Sequence, residues 1–466
     1  MIYEGINPWW IERFLDRLDN EKISMHSFLL MRNGKLIFEK YYAPYERDTL
    51  HRMFSVTKSI VSLCISTLID QGKLKLTDHI ADYFPEFVKK DENGNVNPYI
   101  AAMTIDDMLK MESCHDKTTY KVMPDINWVE SFFTVEPSHM PGTVFSYDTS
   151  STHTLCALVE KLSGMEFTEY MMSSFGRTLG FAPDTYCLKD PYGASLGGSG
   201  LMMRPIDLLN LMYTLSCGGR FGDSQLFNEE YLKKATSKLV STVGKQASAE
   251  ESVGYGYQFW QIRNGGFAMY GMGGQLAVCI PEKNIVFVTT ADAQGIQGGV
   301  QMIYQAFWQE IYNKIDVEDI DDCEVTEKDR QIISLEKGVA VAGSSFAKGA
   351  AFTFGPNPMG ITKLSYELSE DCGKINYTNR DGECSIEFGM GCNRVGKFPV
   401  YNETYAASAC LADENSLWVK VQLIGESIGV VWFELCLKDN TCTLMTRKIE
   451  ETMYNEYQGM TTGQRI

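Results

Sequence analysis

The opening twenty residues (MIYEGINPWWIERFLDRLDN) scatter acids and bases among apolar positions, the rhythm of a short amphipathic helix. From His26 to Tyr42 (HSFLLMRNGKLIFEKYY) two β-rich runs flank Asn33-Gly34, a hairpin signal because both residues tolerate the positive φ of a tight turn. Residues 59–69 (SIVSLCISTLI) are apolar on every side, which predicts a helix buried in a core; the run is about half the ~20 residues that a membrane span needs. Helical patterns continue to about residue 215, broken by Pro85, Pro124, Pro141 and Pro183. The β signal returns from Gly254 to Asp292, closing on IVFVTT (285–290), and a helix is expected from about 299 to 315.

Strands at both ends of the first 315 residues, with helices between them, predict an α+β unit whose sheet is assembled from the two ends around a helical insert. The polar, acidic stretch DVEDIDDCEVTEKD (316–329) follows. Beyond it the pattern changes to short alternating runs such as SIEFGMG, SLWVKVQLI and GVVWFELCL, which predict an antiparallel β sandwich or barrel. The expected division is 1–315, an acidic linker at 316–330, and a β-rich domain at 331–466.

Composition narrows the function classes. With 466 residues, 44% of them hydrophobic, the chain can bury a large core and is not disordered. Its 42 Lys and Arg against 60 Asp and Glu give a net charge of −18, which repels nucleic acid and anionic membrane surfaces. Thirteen cysteines, an odd number without a Cys-x-x-Cys pair, fit neither a disulfide framework nor a zinc site and point to a reducing cytoplasm. The N-terminal residues lack the basic start and unbroken apolar stretch of a secretory leader, in agreement with that location.

Chemistry concentrates at Ser55-Val56-Thr57-Lys58. A lysine one helical turn after a serine lies on the same face and can take the hydroxyl proton once it is desolvated. A serine at a helix N-terminus also sits among free N–H groups that favour a developing oxyanion. The motif alone is weak, since Ser334–Lys337 and Ser345–Lys348 match it equally; only Ser55 opens a long apolar helix. Tyr147, in the turn PGTVFSYDT (141–149) before a further helix, can share a proton with a neighbouring lysine, its pKa falling beside a cation. The glycine-rich turn Tyr270-Gly271-Met272-Gly273-Gly274-Gln275 at a strand edge offers backbone N–H donors.

In this order and spacing the three elements resemble the serine β-lactamase and penicillin-recognising superfamily, especially class C β-lactamases, family VIII esterases and 6-aminohexanoate-dimer hydrolases. The segments MFSVTKSIVSLCISTLIDQGKLKLTDHIADYFPEF, MTIDDMLKM, GGSGLMMRPIDLLNLMYTL and GYGYQFWQ carry the resemblance further, over roughly residues 20–312. It implies a β-lactamase-like fold, an antiparallel sheet flanked by helices plus a helical subdomain, with a lipocalin-like β-rich appendage. It further implies Ser55 as acylated nucleophile, Lys58 as its proton partner and Tyr147 as the tyrosine of the Tyr-x-Asn element. The oxyanion hole would use the N–H groups of Ser55 and Met272, with Thr149, Tyr270, Gly271 and Gly273 contacting substrate. No cofactor or metal is implied.

Two positions depart from the family pattern. Thr149 replaces the usual Asn, and the only literal Tyr-x-Asn, Tyr377-Thr378-Asn379, falls in the wrong domain. Met269 replaces the strand lysine or histidine that holds an anionic substrate group, which favours an uncharged ester or amide over a β-lactam. The expected function is therefore a serine esterase or amidase. The alternatives are a β-lactamase-fold binding or scaffolding protein that has lost its chemistry, and a β-lactamase or D-amino-acid peptidase. No Gly-x-Ser-x-Gly is present, and the six histidines (26, 51, 79, 115, 139 and 153) sit in no catalytic pattern and read as structural. Tyr120, Trp128, Phe132 and Phe133 are either pocket-lining or core, and self-association into a homo-oligomer is left open.

Overall fold

Helix α1 (Pro8–Asn20) begins where the Asn7 side chain accepts a hydrogen bond from the Trp9 N–H, with Pro8 in the first turn, where its missing N–H costs nothing. The computed structural model describes residues 4–244, 248–317, 328–449 and 455–466. Strands β1 (Ser24–Arg32) and β2 (Lys35–Tyr41) form the expected hairpin, turning at Asn33 and Gly34, both with positive φ. The apolar run becomes α2 (Val56–Asp70), buried from Val56 to Leu68. Further along lie α3 (Thr149–Ser163), α4 (Pro205–Ser216), β3 (Gly254–Tyr255) and β4 (Trp260–Gln261). Strands β5 (Phe267–Gly271), β6 (Gln275–Ile280) and β7 (Ile285–Asp292) then precede α5 (Gly299–Ala306).

The seven strands make one antiparallel sheet in the order β2-β1-β7-β6-β5-β4-β3. Strand β1 from the start of the chain pairs with β7 from near residue 290, Leu30 opposite Phe287, so the sheet is closed from two ends as expected. Both faces are covered. Leu29, Met269, Ala277 and Val288 face a core shared with α2 and α4, whereas Phe28, Ala268, Val278 and Phe287 face one shared with α1 and α5. Burial on both sides is why β1 and β7 are buried along their whole length.

Within the mainly helical stretch, a small sheet of His51–Arg52, Leu201–Met203 and Tyr186–Cys187 was not expected. Strands of two or three residues are too short to leave a period in the sequence. Among the described residues no helix is long and apolar enough to cross a membrane.

The C-terminal part is a β-barrel, which decides between the two expected all-β forms. Its strands are β8 (Ala350–Phe354), β9 (Lys363–Leu368), β10 (Cys372–Asn379), β11 (Gly382–Met390), β12 (Arg394–Lys397), β13 (Thr404–Asp413), β14 (Ser416–Ile424), β15 (Gly429–Lys438), β16 (Thr441–Ile449) and β17 (Gly459–Arg465). Nine of them form the ring β11-β10-β9-β8-β17-β16-β15-β14-β13, closed where Gly389 and Met390 pair in parallel with Ser408 and Ala409; β12 pairs with β13 outside it. The interior is filled by side chains including Phe352, Tyr377, Phe388, Phe433 and Tyr457, so the barrel is a packed core and not a cup.

Residues 318–327 of the expected acidic linker at 316–330 lie outside the described residues. On its far side Arg330 is clamped to α1 by Glu12, Asp16 and Asp19, and its carbonyl accepts from the Ala43 N–H at 2.9 Å. Ala406 and Ile424, on the barrel's outer surface, join the core beneath α1 and α5, so barrel and sheet are packed together.

Candidate active site

Ser55 stands at the head of α2 with helical backbone angles (φ −69°, ψ −5°), and its hydroxyl does not cap its own helix, as an N-terminal serine ordinarily does. Phe54 just before it has φ 45°, a left-handed conformation that is costly for a bulky residue and found mainly where function requires it. This kink turns the chain from the strand His51–Arg52 into the helix. The Ser55 hydroxyl instead accepts from the Lys58 Nζ at 2.8 Å. Lys58, only 1% exposed, also donates to the Gly198 carbonyl at 2.7 Å, so its ammonium end is aimed by a loop 140 residues away in sequence.

Tyr147 completes the group. Its ring lies 5.1 Å from the Lys58 Nζ, and its hydroxyl is hydrogen-bonded to Ser55. The next residue, Asp148, is fully buried and caps α3, accepting from the N–H and the hydroxyl of both Ser150 and Ser151. That cap fixes the turn carrying Tyr147. The expectation that the Tyr147 pKa falls beside a cation is corrected: burial pushes it well up, Glu251 adds to the rise, and only the bond to Ser55 opposes it. Tyr147 is therefore a neutral phenol, suited to giving a proton.

The turn between β5 and β6 faces Ser55 from the other side. A Cβ on Gly271 would stand 2.3 Å from the Met53 carbonyl, so only glycine lets the strand edge approach the loop that leads to Ser55. Gly273 (φ 83°) and Gly274 (φ 102°) adopt the left-handed angles the turn demands. The buried Gln275 side chain holds the turn, donating to the Met272 carbonyl at 2.6 Å and exchanging hydrogen bonds with Ala291. Among the described residues no protein acceptor takes the N–H of Ser55 or of Met272. Thr149 opens α3 and packs on Gly198, where an added Cβ would meet its Cγ2 at 2.3 Å.

Met269 is wholly buried in the core that contains Met53, Val56 and Ile60, sealed from the site. Tyr270, on the opposite face of β5, joins an aromatic wall. Tyr147 stacks on Trp260 at 5.6 Å, and Trp260 meets Tyr255 and Tyr270 edge-on at 4.7 Å and 6.2 Å. Beside this wall a cavity of about 550 Å³ is lined by Glu251, Tyr270, Met272, Gly273, Gln294 and, from the barrel, Ile449.

Other candidates fall away. Ser334 and Ser345 lie on no helix, and Tyr377 bonds Tyr457 inside the barrel at 2.7 Å. Phe132 and Phe133 are core, and Tyr120 stacks on Trp128 at 4.1 Å. His153 pairs with Asp190 at 3.0 Å, His26 with His51 at 2.9 Å. Sequence reasoning missed Gly198, Trp260, Gln275 and Arg52 as parts of the site. The first three stand in segments already singled out, but nothing local assigns them roles. Arg52 reaches sideways, donating to the Ser199 carbonyl at 3.2 Å and to the Glu426 carbonyl of a barrel loop at 2.8 Å, its guanidinium 4.7 Å from the Phe54 ring.

A family model described as Beta-lactamase matches residues 11–304. The 6-aminohexanoate-dimer hydrolase of Paenarthrobacter ureafaciens is 21% identical over 304 residues, 60% of this chain and 78% of that relative. Among solved structures, EstCE1, a hydrolase with promiscuous acyltransferase activity, is similar with a TM-score of 0.52 at 17% identity, over 64% of this chain and 99% of its own. The octameric penicillin-binding protein homologue from Pyrococcus abyssi is similar with a TM-score of 0.51 at 16% identity, over 98% of this chain and 99% of its own. The likeness in fold to the last extends through the barrel.

Proposed function

This chain belongs to the beta-lactamase family, a hydrolase fold family, and on that premise we propose that it is a serine hydrolase that cleaves a small, uncharged ester or amide through a Ser55 acyl-enzyme. The observation that carries the reading is the Ser55 hydroxyl, released from capping and held 2.8 Å from the buried Lys58 amine.

In the proposed cycle the Lys58 amine takes the Ser55 proton as Oγ attacks the substrate carbonyl. The oxyanion is received by the N–H groups of Ser55 and Met272, the first at a helix N-terminus, where the backbone dipoles favour negative charge. Tyr147, a neutral phenol, donates its proton to the departing alcohol or amine and regains one from the Lys58 ammonium beside it. Water then enters, loses a proton to Lys58, and attacks the acyl-enzyme; Lys58 passes that proton to the departing Ser55 Oγ and the acid is released. Three features support an uncharged substrate: Met269 is sealed in the core, the wall beside Ser55 is aromatic, and Glu251 adds negative character to the cavity. Thr149, Tyr270, Gly271 and Gly273 are the proposed substrate contacts.

The test is labelling with a fluorophosphonate probe, followed by turnover of p-nitrophenyl esters, nitrocefin and D-amino-acid amides. An adduct on the Ser55 peptide that is absent in Ser55→Ala, with ester turnover, supports the proposal. An unlabelled, folded wild-type protein overturns it in favour of a binding protein. A homo-oligomer in a reducing, cytoplasmic setting is the accompanying proposal, supported by the octameric Pyrococcus neighbour and the free thiols of all twelve described cysteines; light scattering after gel filtration tests the assembly.

A further inference from the structure

The outer face of the barrel does not sit flush on the seven-stranded sheet. Between them lies a second cavity of about 450 Å³, within the range that small-molecule sites occupy. Its wall is largely apolar: Trp418, Val430 and Ile449 from the barrel face Ile296 and Leu335. Trp418 and Val430 belong to the outward-pointing half of β14 and β15, whose inward-pointing partners, such as Val419, Val421 and Val431, fill the barrel.

A few polar groups enter this apolar space with valences unmet. Lys420 gives one hydrogen bond, to the Ile333 carbonyl at 2.7 Å, and no carboxylate lies within ion-pair distance of it among the described residues. Among the described residues the Trp432 Nε1–H has no acceptor, and neither the Ser24 hydroxyl nor the Gln422 Oε1 has a partner, although Ser24 is 3% and Gln422 1% exposed. The carboxylate in the wall, Asp292, accepts from Gln422 Nε2 at 2.8 Å and from the Gln294 N–H and Nε2 at 3.2 and 3.1 Å, and its charge acts on Lys420 from beyond ion-pair distance. At the rim Lys22 and Glu336 neutralise one another at 2.8 Å. Among the described residues the Lys420 ammonium thus keeps donors beyond its one bond to Ile333, and the Trp432 N–H has no acceptor.

We propose that this cavity is a binding site for an amphipathic monocarboxylate, its carboxylate received by Lys420 Nζ and Trp432 Nε1–H and its alkyl or aryl body laid between Trp418, Val430, Ile296 and Ile449. An ammonium drawn into a largely apolar cavity with no carboxylate in direct contact loses hydration, and a carboxylate accepting from it and from an indole N–H offsets that loss. The site is distinct from Ser55 and independent of the hydrolase reading. Ile296 and Ile449 line both cavities, so a bound acid would touch the wall of the space beside Met272.

The test uses octanoate as probe, followed by calorimetry and by the emission of Trp418 and Trp432. Saturable binding at one octanoate per chain is expected, at least about tenfold tighter than octanol, with no binding of octylamine. Lys420→Met should weaken octanoate at least about tenfold while leaving octanol unchanged. Trp432→Phe, which keeps the ring and loses the N–H, should weaken it severalfold, and Lys420→Arg should retain it. The groups facing Lys420 are Asp292 on β7, the neutral His26 on β1 and the Lys22–Glu336 pair. Burial brings the Lys420 pKa down to about 8, so octanoate affinity should fall as the pH is raised beyond that value. Equal affinity for octanol and octanoate, octanoate binding unchanged in folded Lys420→Met, or no saturable binding would each overturn the proposal.

Discussion

Lys58 and Lys420 both turn inward, and each donates a hydrogen bond to a main-chain carbonyl at 2.7 Å, Gly198 for the first and Ile333 for the second. Their surroundings then diverge. Lys58 meets a hydroxyl supplied by its own helix one turn earlier, with a phenol alongside, so its amine is set against a single O–H bond. Lys420 meets an open apolar space whose polar groups come from β1, β7, β14 and β15. The first arrangement suits moving one proton over a short, fixed distance; the second suits holding a group that arrives from outside. Burial of a lysine therefore does not by itself indicate catalysis. What the amine is aimed at decides.

The contrast can be broken most severely at Lys58. Replacing it with Met keeps the apolar stem and removes the base, and should lower kcat/KM for a p-nitrophenyl ester by at least ~10³-fold with the melting temperature within a few degrees of wild type. A variant that still turns over within tenfold would make the two lysines alike.

The second test lies on the Lys420 side, where His26 and His51 are buried together. Burial holds the His51 pKa down to about 4, and burial, His51 and Lys420 hold that of His26 well below its usual value. Between pH 6.5 and 4 the unfolded chain then binds more protons than the native one, so stability is complete above about 6.5 and falls as the pH drops. The loss attributable to His51 is roughly 3 kcal/mol. Urea unfolding across this range should show it, and a stability that is flat from pH 7 to 5 would contradict it.

Tyr147→Phe comes next, with an expected loss of about 10²-fold in kcat and a retained fold, because only the proton donor is removed. Since the phenol stays neutral, no alkaline limb from Tyr147 is expected in kcat below pH 9. The smallest effect is assigned to Ser345→Ala, which removes the serine of a motif lookalike in the segment before β8 and should change kcat by less than about twofold.

Much of the Lys58 region was legible because its logic is local. Ser55 and Lys58 are three residues apart, α2 declares itself as an apolar run, and Gly273-Gly274 mark the turn. What was not legible depends on distant segments: the Gly198 carbonyl that aims Lys58, and Trp260 behind Tyr147. The direction of the Tyr147 pKa was misjudged because a nearby cation is visible in the motif, while the burial that outweighs it is a property of the packed aromatic wall. In the barrel, alternation announced the strands, but closure rests on the parallel contact of Gly389 and Met390 with Ser408 and Ala409, which no hairpin signal encodes. The cavity around Lys420 is the extreme case, since its lining is contributed from residue 22 to residue 449.

Arg52 ties these regions together mechanically. Its guanidinium spans the Ser199 carbonyl, next to the loop that aims Lys58, and the Glu426 carbonyl of the barrel, while its own backbone leads directly into Phe54. One side chain thus anchors a barrel loop, the segment beside Gly198 and, through its own backbone, the kink before Ser55. The seat of the barrel and the entry to the Ser55 helix therefore share a single anchoring residue.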